Sequence, residues 1–288
     1  MIPGQFDYHR PASVSQAIGL LAEFGENARI VAGGHSLIPM MKLRMATPDH
    51  LVDIQDIPEL KGVREDAGAL VIGALVTQTE LIASELLAEK CPILRETALQ
   101  IADPQVRNAG TIGGNVANGD PGNDMPAVMQ ALAATYDIAG PNGARQVAAR
   151  DFYEAAFLTA LKDGEILTSI RIAAPAAGHG YAYQKQKRKI GDYATAAAAV
   201  ILEMSVGTCS SASLALTNVG DTPLYAAAAS QALVGTALDE TAIGNAVAAA
   251  KDITDPAADS RGPKDFRTYV AGVMVKRAIE TARSRATA

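Results

Sequence analysis

Apolar and polar positions alternate with different periods along the chain, and the changes of period mark its elements. Val14, Ala17, Ile18, Leu21 and Phe24 recur at helical spacing, which predicts an amphipathic helix. Ser13 with Gln16 predicts a capping box at its start, and Gly25 supplies the stop. Ala28–Val31 reads as a short strand running into Ala32-Gly33-Gly34-His35-Ser36. Residues 37–45 read as a helix closed by Pro48, and residues 50–54 as another strand.

Between residues 60 and 76 the pattern is strand-like around Gly62, Gly68 and Gly73. Residues 79–89 and 93–101 read as helices. Residues 102–124 are dense in Gly, Asn, Asp and Pro and read as a long loop. A helix over 125–134, a hairpin around Gly140-Pro141-Asn142-Gly143 and a strand over 165–172 follow. Beyond a linker at 175–180 come strands or mixed segments at 181–187, 194–205 and 211–217, then two Ala-rich helices at 225–233 and 241–252. A last helix carries Phe266, Tyr269, Val270, Val273 and Met274 as an apolar stripe, read as core, with Lys276, Arg277 and Arg283 opposite. This order divides the chain into an α/β unit over 1–55, an α+β unit over 56–177 and a second α+β unit over 178–288.

Composition narrows the function classes. The chain has 288 residues, 49% apolar and 19% charged, enough for two or three units that each bury a core. A formal net charge of −6 argues against nucleic-acid binding, which needs a basic face. Cys91 and Cys209 are too few for an iron–sulfur cluster and read as buried free thiols. No basic segment followed by an apolar run opens the chain, and no apolar run reaches spanning length. A soluble, cytoplasmic protein is expected, with peripheral placement at the inner face of the cytoplasmic membrane as the alternative. His9, His50 and His179 are scattered, so metal ligation is not expected, and no Ser-His-Asp arrangement stands out.

Two glycine-rich segments carry the chemistry. Ala32-Gly33-Gly34-His35-Ser36 lies after a strand and before a helix. Glycines there let the backbone approach a ligand, and a helix start offers free N–H groups to an anion. A plain tight turn is an equally good reading of this segment alone, and His35 reads as a support of the turn. The second segment is Gly110-Thr111-Ile112-Gly113-Gly114-Asn115, continuing through Asn118 and Asp124. Thr111 and the amides near Gly113 and Gly114 suit a second phosphate, while Asn115, Asn118 and Asp124 suit the hydroxyls of a sugar or ribityl chain. Its rival reading is a disordered surface loop, which the apolar Ile112, Val116 and Met125 argue against. Two anion-type loops in neighbouring units suggest a diphosphate held between them.

AGGHSLIPMMKLRMATP, RNAGTIGGNVANGDPGND and KRKIGDYATAAAAV resemble, in order, three signature segments of the FAD-binding subunits of the xanthine dehydrogenase and carbon monoxide dehydrogenase family. The likeness spans essentially the whole chain. The opening and residues 188–193 look most like the carbon monoxide dehydrogenase branch. The resemblance implies an α+β fold with two FAD-binding subdomains of the vanillyl-alcohol-oxidase (PCMH) type and a C-terminal α+β domain over the flavin. It implies that Ala32, Gly33, Gly34, His35 and Ser36, with Thr111, Ile112, Gly113 and Gly114, hold the pyrophosphate. Asn115, Asn118 and Asp124 match positions near the sugar or ribityl chain, and Asn118 stands where animal xanthine enzymes have Thr. Tyr193 matches an aromatic residue lying against the isoalloxazine. Gln184 falls where some relatives have a flavin-contacting Lys, and that contact is not carried over.

The resemblance further implies FAD as this chain's cofactor, and an electron-transfer role that needs no general base. Molybdenum–copper and 2Fe-2S centres would lie in a large and a small partner subunit, in a dimer of heterotrimers that delivers electrons to a quinone. Two other readings stand beside it: the flavoprotein subunit of a purine, nicotinate or aldehyde hydroxylase, and a non-catalytic nucleotide-binding assembly module. The basic run Lys185, Lys187, Arg188 and Lys189 reads as a solvated or subunit-facing edge.

Overall fold

The computed structural model describes residues 1–287. Its first part is a three-stranded parallel sheet of β1 (Asp7–His9), β2 (Ala28–Val31) and β3 (His50–Asp53) in the order β1-β3-β2. Helix α1 (Val14–Phe24) connects β1 to β2. Ser13 caps it by accepting from the Gln16 amide, and Gly25 ends it at a φ of 55°, a left-handed value that Gly takes without penalty. Helix α2 (Leu37–Lys42) follows β2 and is shorter than the apolar pattern suggested. Ala17, Ala28, Val52 and Ile54 pack with Ile57, Leu60, Leu75 and Ile166, so this sheet shares its core with the next part of the chain.

The middle of the chain forms a five-stranded antiparallel sheet in the order β4-β5-β10-β6-β7. Its strands are β4 (Val63–Asp66), β5 (Ala69–Gly73), β6 (Thr135–Gly140), β7 (Gly143–Ala148) and β10 (Ile166–Ala173). A small ribbon of β8 (Tyr153–Ala155) and β9 (Leu158–Thr159) precedes β10. Between β5 and β6 lie α3 (Gln78–Ala83), α4 (Glu85–Lys90), α5 (Ile93–Ala98), α6 (Pro104–Ala109), α7 (Ile112–Ala117) and α8 (Asp124–Ala131). The single helix expected over 79–89 is two, because Ser84 takes an extended conformation and caps α4 through the Leu87 amide.

The expected loop at 102–124 is also helical in part. Asp103 caps α6 with Pro104 at its first turn, and Thr111 caps α7. Local glycine content argued against α7. Tertiary packing decides it, because Ile112 and Val116 are fully buried in the central core.

The last third is a four-stranded antiparallel sheet in the order β11-β12-β13-β14, from β11 (Gly180–Gln186), β12 (Ala196–Ser205), β13 (Thr208–Thr217) and β14 (Leu224–Tyr225). Helices α9 (Ala227–Leu233), α10 (Glu240–Asp252) and α11 (Lys264–Arg285) cover one face. Alternate residues of β12 point to opposite faces. Ala196, Ala198, Val200 and Leu202 enter the core under α11, whereas Ala197 and Ala199 join the core of the middle part. Burial on both faces explains why this strand is a continuous apolar run.

The apolar stripe of the last helix is rotated from the expected one. Phe266 and Tyr269 are exposed, and the buried face is Val270, Ala271, Met274, Val275, Ala278, Ile279 and Ala282. Arg267 is buried beside it, its guanidinium satisfied by the carbonyls of Thr195, Ala257 and Asn218. Cys91 and Cys209 are both free and buried, and burial pushes the Cys91 thiol up to about 12.

Candidate functional site

A cleft of about 1090 Å³ opens where the three sheets meet. Its first wall is the turn between β2 and α2. None of the backbone N–H groups of Gly33, Gly34, His35 and Ser36 has an acceptor among the described residues. Four consecutive free donors, backed by a helix start, form a concave anion cradle. Gly34 has a φ of +73°, so this bend needs a residue at ease in the left-handed region. Gly33 has a different reason: a Cβ there would run into the Ala109 carbonyl and the Gly110 backbone. The two glycine segments therefore touch, and Gly33 is the point of contact. The His35 imidazole is exposed and makes no hydrogen bond among the described residues, so it does not brace the turn as expected.

The second segment is built differently from what its sequence suggests. The amides of Ile112, Gly113, Gly114 and Asn115 are all taken, by the Val76 carbonyl, the Ala74 carbonyl, Thr111 Oγ1 and the Thr111 carbonyl. These four N–H groups are not free donors for a phosphate. Ile112 is fully buried and does not line the cleft. Gly113 does, but its missing side chain serves packing, since a Cβ would stand 2.5 Å from the Ala74 oxygen. Asn115 accepts from the Met125 amide with Oδ1 and from Asn123 Nδ2 with its carbonyl, which ties α7 to α8. Thr111, Gly114, Asn115 and Asn118 all line the cleft, and the Asn118 side chain has no hydrogen bond among the described residues.

The floor holds a buried ion pair. Asp124 Oδ2 accepts from Lys185 Nζ at 2.8 Å, and the two side chains are 5% and 1% exposed. Asp124 Oδ1 accepts from the Tyr183 hydroxyl at 2.5 Å, which also lies 3.3 Å from Thr217 Oγ1. Burial pushes the Asp124 carboxyl up from the usual range, while Lys185 and Tyr183 pull against it. Both carboxylate oxygens are engaged, so Asp124 anchors Lys185 rather than presenting a free acceptor to a hydroxyl. Lys187 reaches toward the Gln100 carbonyl at 3.5 Å, and burial and the nearby Lys185 push its ammonium down. The expectation of a solvated edge thus fails for Lys185. Strand alternation explains it: Tyr183 and Lys185 face the cleft side of β11, whereas Gln184 faces α11 and its amide donates to Thr281 Oγ1. Period-two counting from the buried Tyr183 was the available signal.

At the mouth stands Tyr193, 43% exposed. Its ring lies over Gly122, where a Cβ would come within 2.7 Å of it, and Arg261 sits 5.7 Å from the ring centroid. Burial and the Asp120 carboxylate raise the Tyr193 hydroxyl. Asp192, bonded to Arg188, lines the same mouth. At the far end are Asn27, Arg29 and residues 162–165, where Arg145 grips Glu165 through Nε and Nη2 at 2.7 and 2.6 Å. Sequence reading gave no sign of this end.

Twelve of the thirteen expected site residues therefore surround one cleft, Ile112 being the exception. The cleft slightly exceeds the roughly 300–1,000 Å³ of most ligand sites. It is long, with a donor cradle in one wall, an aromatic ring at its mouth and a buried cation on its floor. These features fit a dinucleotide with a diphosphate and a flat redox ring, and they define the protein as a dinucleotide-clamping flavoprotein chain.

Comparison with known proteins agrees. Residues 4–175 match the family "FAD binding domain in molybdopterin dehydrogenase", and residues 181–282 match "CO dehydrogenase flavoprotein C-terminal domain". The chain belongs to this FAD-binding molybdopterin dehydrogenase family. It is 63% identical to the carbon monoxide dehydrogenase medium chain of Afipia carboxidovorans, over 99% of both chains. The corresponding medium chain of Hydrogenophaga pseudoflava is 48% identical, again over 99% of both. The structure superimposes with a TM-score of 0.99 on reconstituted CO dehydrogenase from Oligotropha carboxidovorans, at 63% identity, covering 99% of this chain and 100% of that one. The expected α+β fold and the expected FAD-carrying oxidoreductase subunit are borne out. Among the described residues no helix is long and apolar enough to cross a membrane.

Proposed function

We propose that this chain carries FAD as the electron-transfer subunit of an aerobic carbon monoxide dehydrogenase, which converts CO and water to CO2. The observation that carries the reading is the row of four unpaired amides at 33–36, set in a cleft sized for a dinucleotide, in a chain with full-length likeness to CO dehydrogenase medium chains. A large subunit would hold the molybdenum–copper centre and a small subunit two 2Fe-2S clusters, in a dimer of heterotrimers. Electrons would pass through the clusters to this chain and on to a quinone, from a cytoplasmic position. Relatives acting on glyceraldehyde or caffeine are only 34% and 33% identical, which favours the CO branch over other hydroxylases.

The flavin, when bound, accepts electrons singly or in pairs. The chain's own residues orient and insulate it. The amides of residues 33–36 bind the diphosphate, aided by Ala32 and by the Thr111 hydroxyl. Gly113 and Gly114 keep the opposite wall close. Asn115 Nδ2 and Asn118 are placed to bind ribityl or ribose hydroxyls. Tyr193 covers the ring and limits water access. Lys185 and Asp124, neutralising each other, form a fixed polar floor beneath the cofactor. The division into units 1–55, 56–177 and 178–288 is part of the proposal. Three separate sheets support it, and the cleft runs between them.

The test is co-purification with the two partner chains, followed by flavin, molybdenum, copper and iron analysis and by CO titration. A bound flavin bleached by CO is expected. A complex that contains no flavin, or whose flavin CO leaves oxidised while dithionite reduces it, would refute the reading.

A further inference from the structure

Gln78 is the first residue of α3 and is 1% exposed. Its backbone N–H donates to the Gly110 carbonyl at 3.0 Å, which fixes it beside the second glycine segment. It lines the cleft together with Gly110, Thr111 and Gly113. Both atoms of its side-chain amide are buried, and neither has a partner among the described residues. An amide offers two donors and an acceptor, and leaving all of them buried and unpaired is among the costly arrangements in a fold.

The neighbours cannot satisfy it. Thr77 and Glu80 are paired with each other in a capping box, and Thr79 donates to Asn108 at 2.7 Å. The cleft lining also includes the apolar Ile101, Ala102 and Val106. Among the described residues no other glutamine has both amide atoms buried and unpaired; of Gln130 only Oε1 is so placed. A buried polar group without a partner, set in the wall of a binding cleft, marks a place where a ligand completes the hydrogen bonding.

We infer that Gln78 is a cofactor-binding residue whose Nε2 donates to an oxygen of the phosphate–ribityl chain of the dinucleotide. The inference rests on the reading that the cleft holds FAD. It adds a side-chain donor from α3 to a wall whose backbone amides are already taken by the fold.

The experiment compares the parent with Gln78→Met and Gln78→Glu. FAD affinity is measured by flavin fluorescence on the deflavinated complex, and thermal unfolding is measured on the flavin-free full chain. Met is apolar and of similar length, so it removes the donor without opening a large cavity. The expected result for Gln78→Met is FAD affinity about tenfold weaker, the loss of one good hydrogen bond. Its flavin-free melting temperature should equal or exceed the parent's, because an unpaired amide has gone. Gln78→Glu should bind more weakly still, because a carboxylate repels the diphosphate. Affinity within twofold of the parent in both variants overturns the inference. So does a flavin-free melting temperature that falls by several degrees in Gln78→Met, which would make the amide a structural group. A parent complex that binds no FAD at all would instead bring down the dinucleotide reading, and this inference with it.

Discussion

Replacing Lys185 by Met separates the buried ion pair from its surroundings. In the parent, Lys185 and Asp124 are almost completely buried and 2.8 Å apart. Removing the cation leaves a carboxylate in a low-dielectric site with the Tyr183 hydroxyl as its remaining close donor. Breaking such a pair from one side costs about 3–5 kcal/mol. With the cation gone, burial acts on the carboxyl without its main counterweight, so the folded-state value rises further above the ordinary carboxylate range. Asp124 then stays protonated in the folded variant well above the pH at which it ionises in the unfolded chain. The sign follows from linkage. A raised folded value means the folded state holds the extra proton, so the penalty is small below about pH 4. It grows as pH rises toward the folded value and is constant above it. At pH 7.5 the melting temperature should fall by roughly 10 °C, and at pH 4.5 by only a small part of that. Scanning calorimetry of the flavin-free chain at the two pH values provides the measurement. A variant as stable as the parent at pH 7.5, or a deficit of equal size at both pH values, refutes the account of Lys185 and Asp124 as a mutually dependent buried pair.

Gly113→Ala should destabilise the flavin-free chain by about 1–3 kcal/mol, because its Cβ meets the Ala74 backbone and not a flexible side chain; an unchanged melting curve would show that α7 can shift freely. Gly34→Ala should cost less, about 1 kcal/mol from its φ of +73°, while disturbing the amide cradle, so FAD affinity should drop more than stability. Equal flavin affinity in Gly34→Ala and the parent counts against the cradle. Glu165 is held below the usual carboxylate range, chiefly by the Arg145 guanidinium. Its contribution is therefore present above about pH 4.3 and lost as pH falls through the lower folded value. Glu165→Gln should be less stable than the parent at pH 7, with the gap closing at pH 3; a gap of the same width at both would exclude the ion pair as its source.

The sequence alone determined many of the local elements and the first of the two glycine-rich segments. Ser13 and Gly25 bracket α1 because capping is a matter of neighbours within a few residues. The hairpin at Gly140 to Gly143 and the strands β2, β10 and β12 follow from period and turn chemistry in the same way. The strap Ala32 to Ser36 was legible because a bend between a strand and a helix start carries its own chemistry, free amides included. Tertiary structure decided the rest. It made α7 a helix by burying Ile112 and Val116, and in doing so consumed the amides that the glycines of the second segment had seemed to offer. It turned the last helix so that Phe266 and Tyr269 face outward, since the alanine-rich face fits the close approach to β11 and β12. It brought Lys185 under the cleft against Asp124, 61 residues away in sequence, and set Gln78 beside Gly110 with no partner for its amide. Periodicity reports which side of an element is apolar. Which groups meet across a cleft is fixed by how the sheets dock, and a single chain of letters does not carry that geometry.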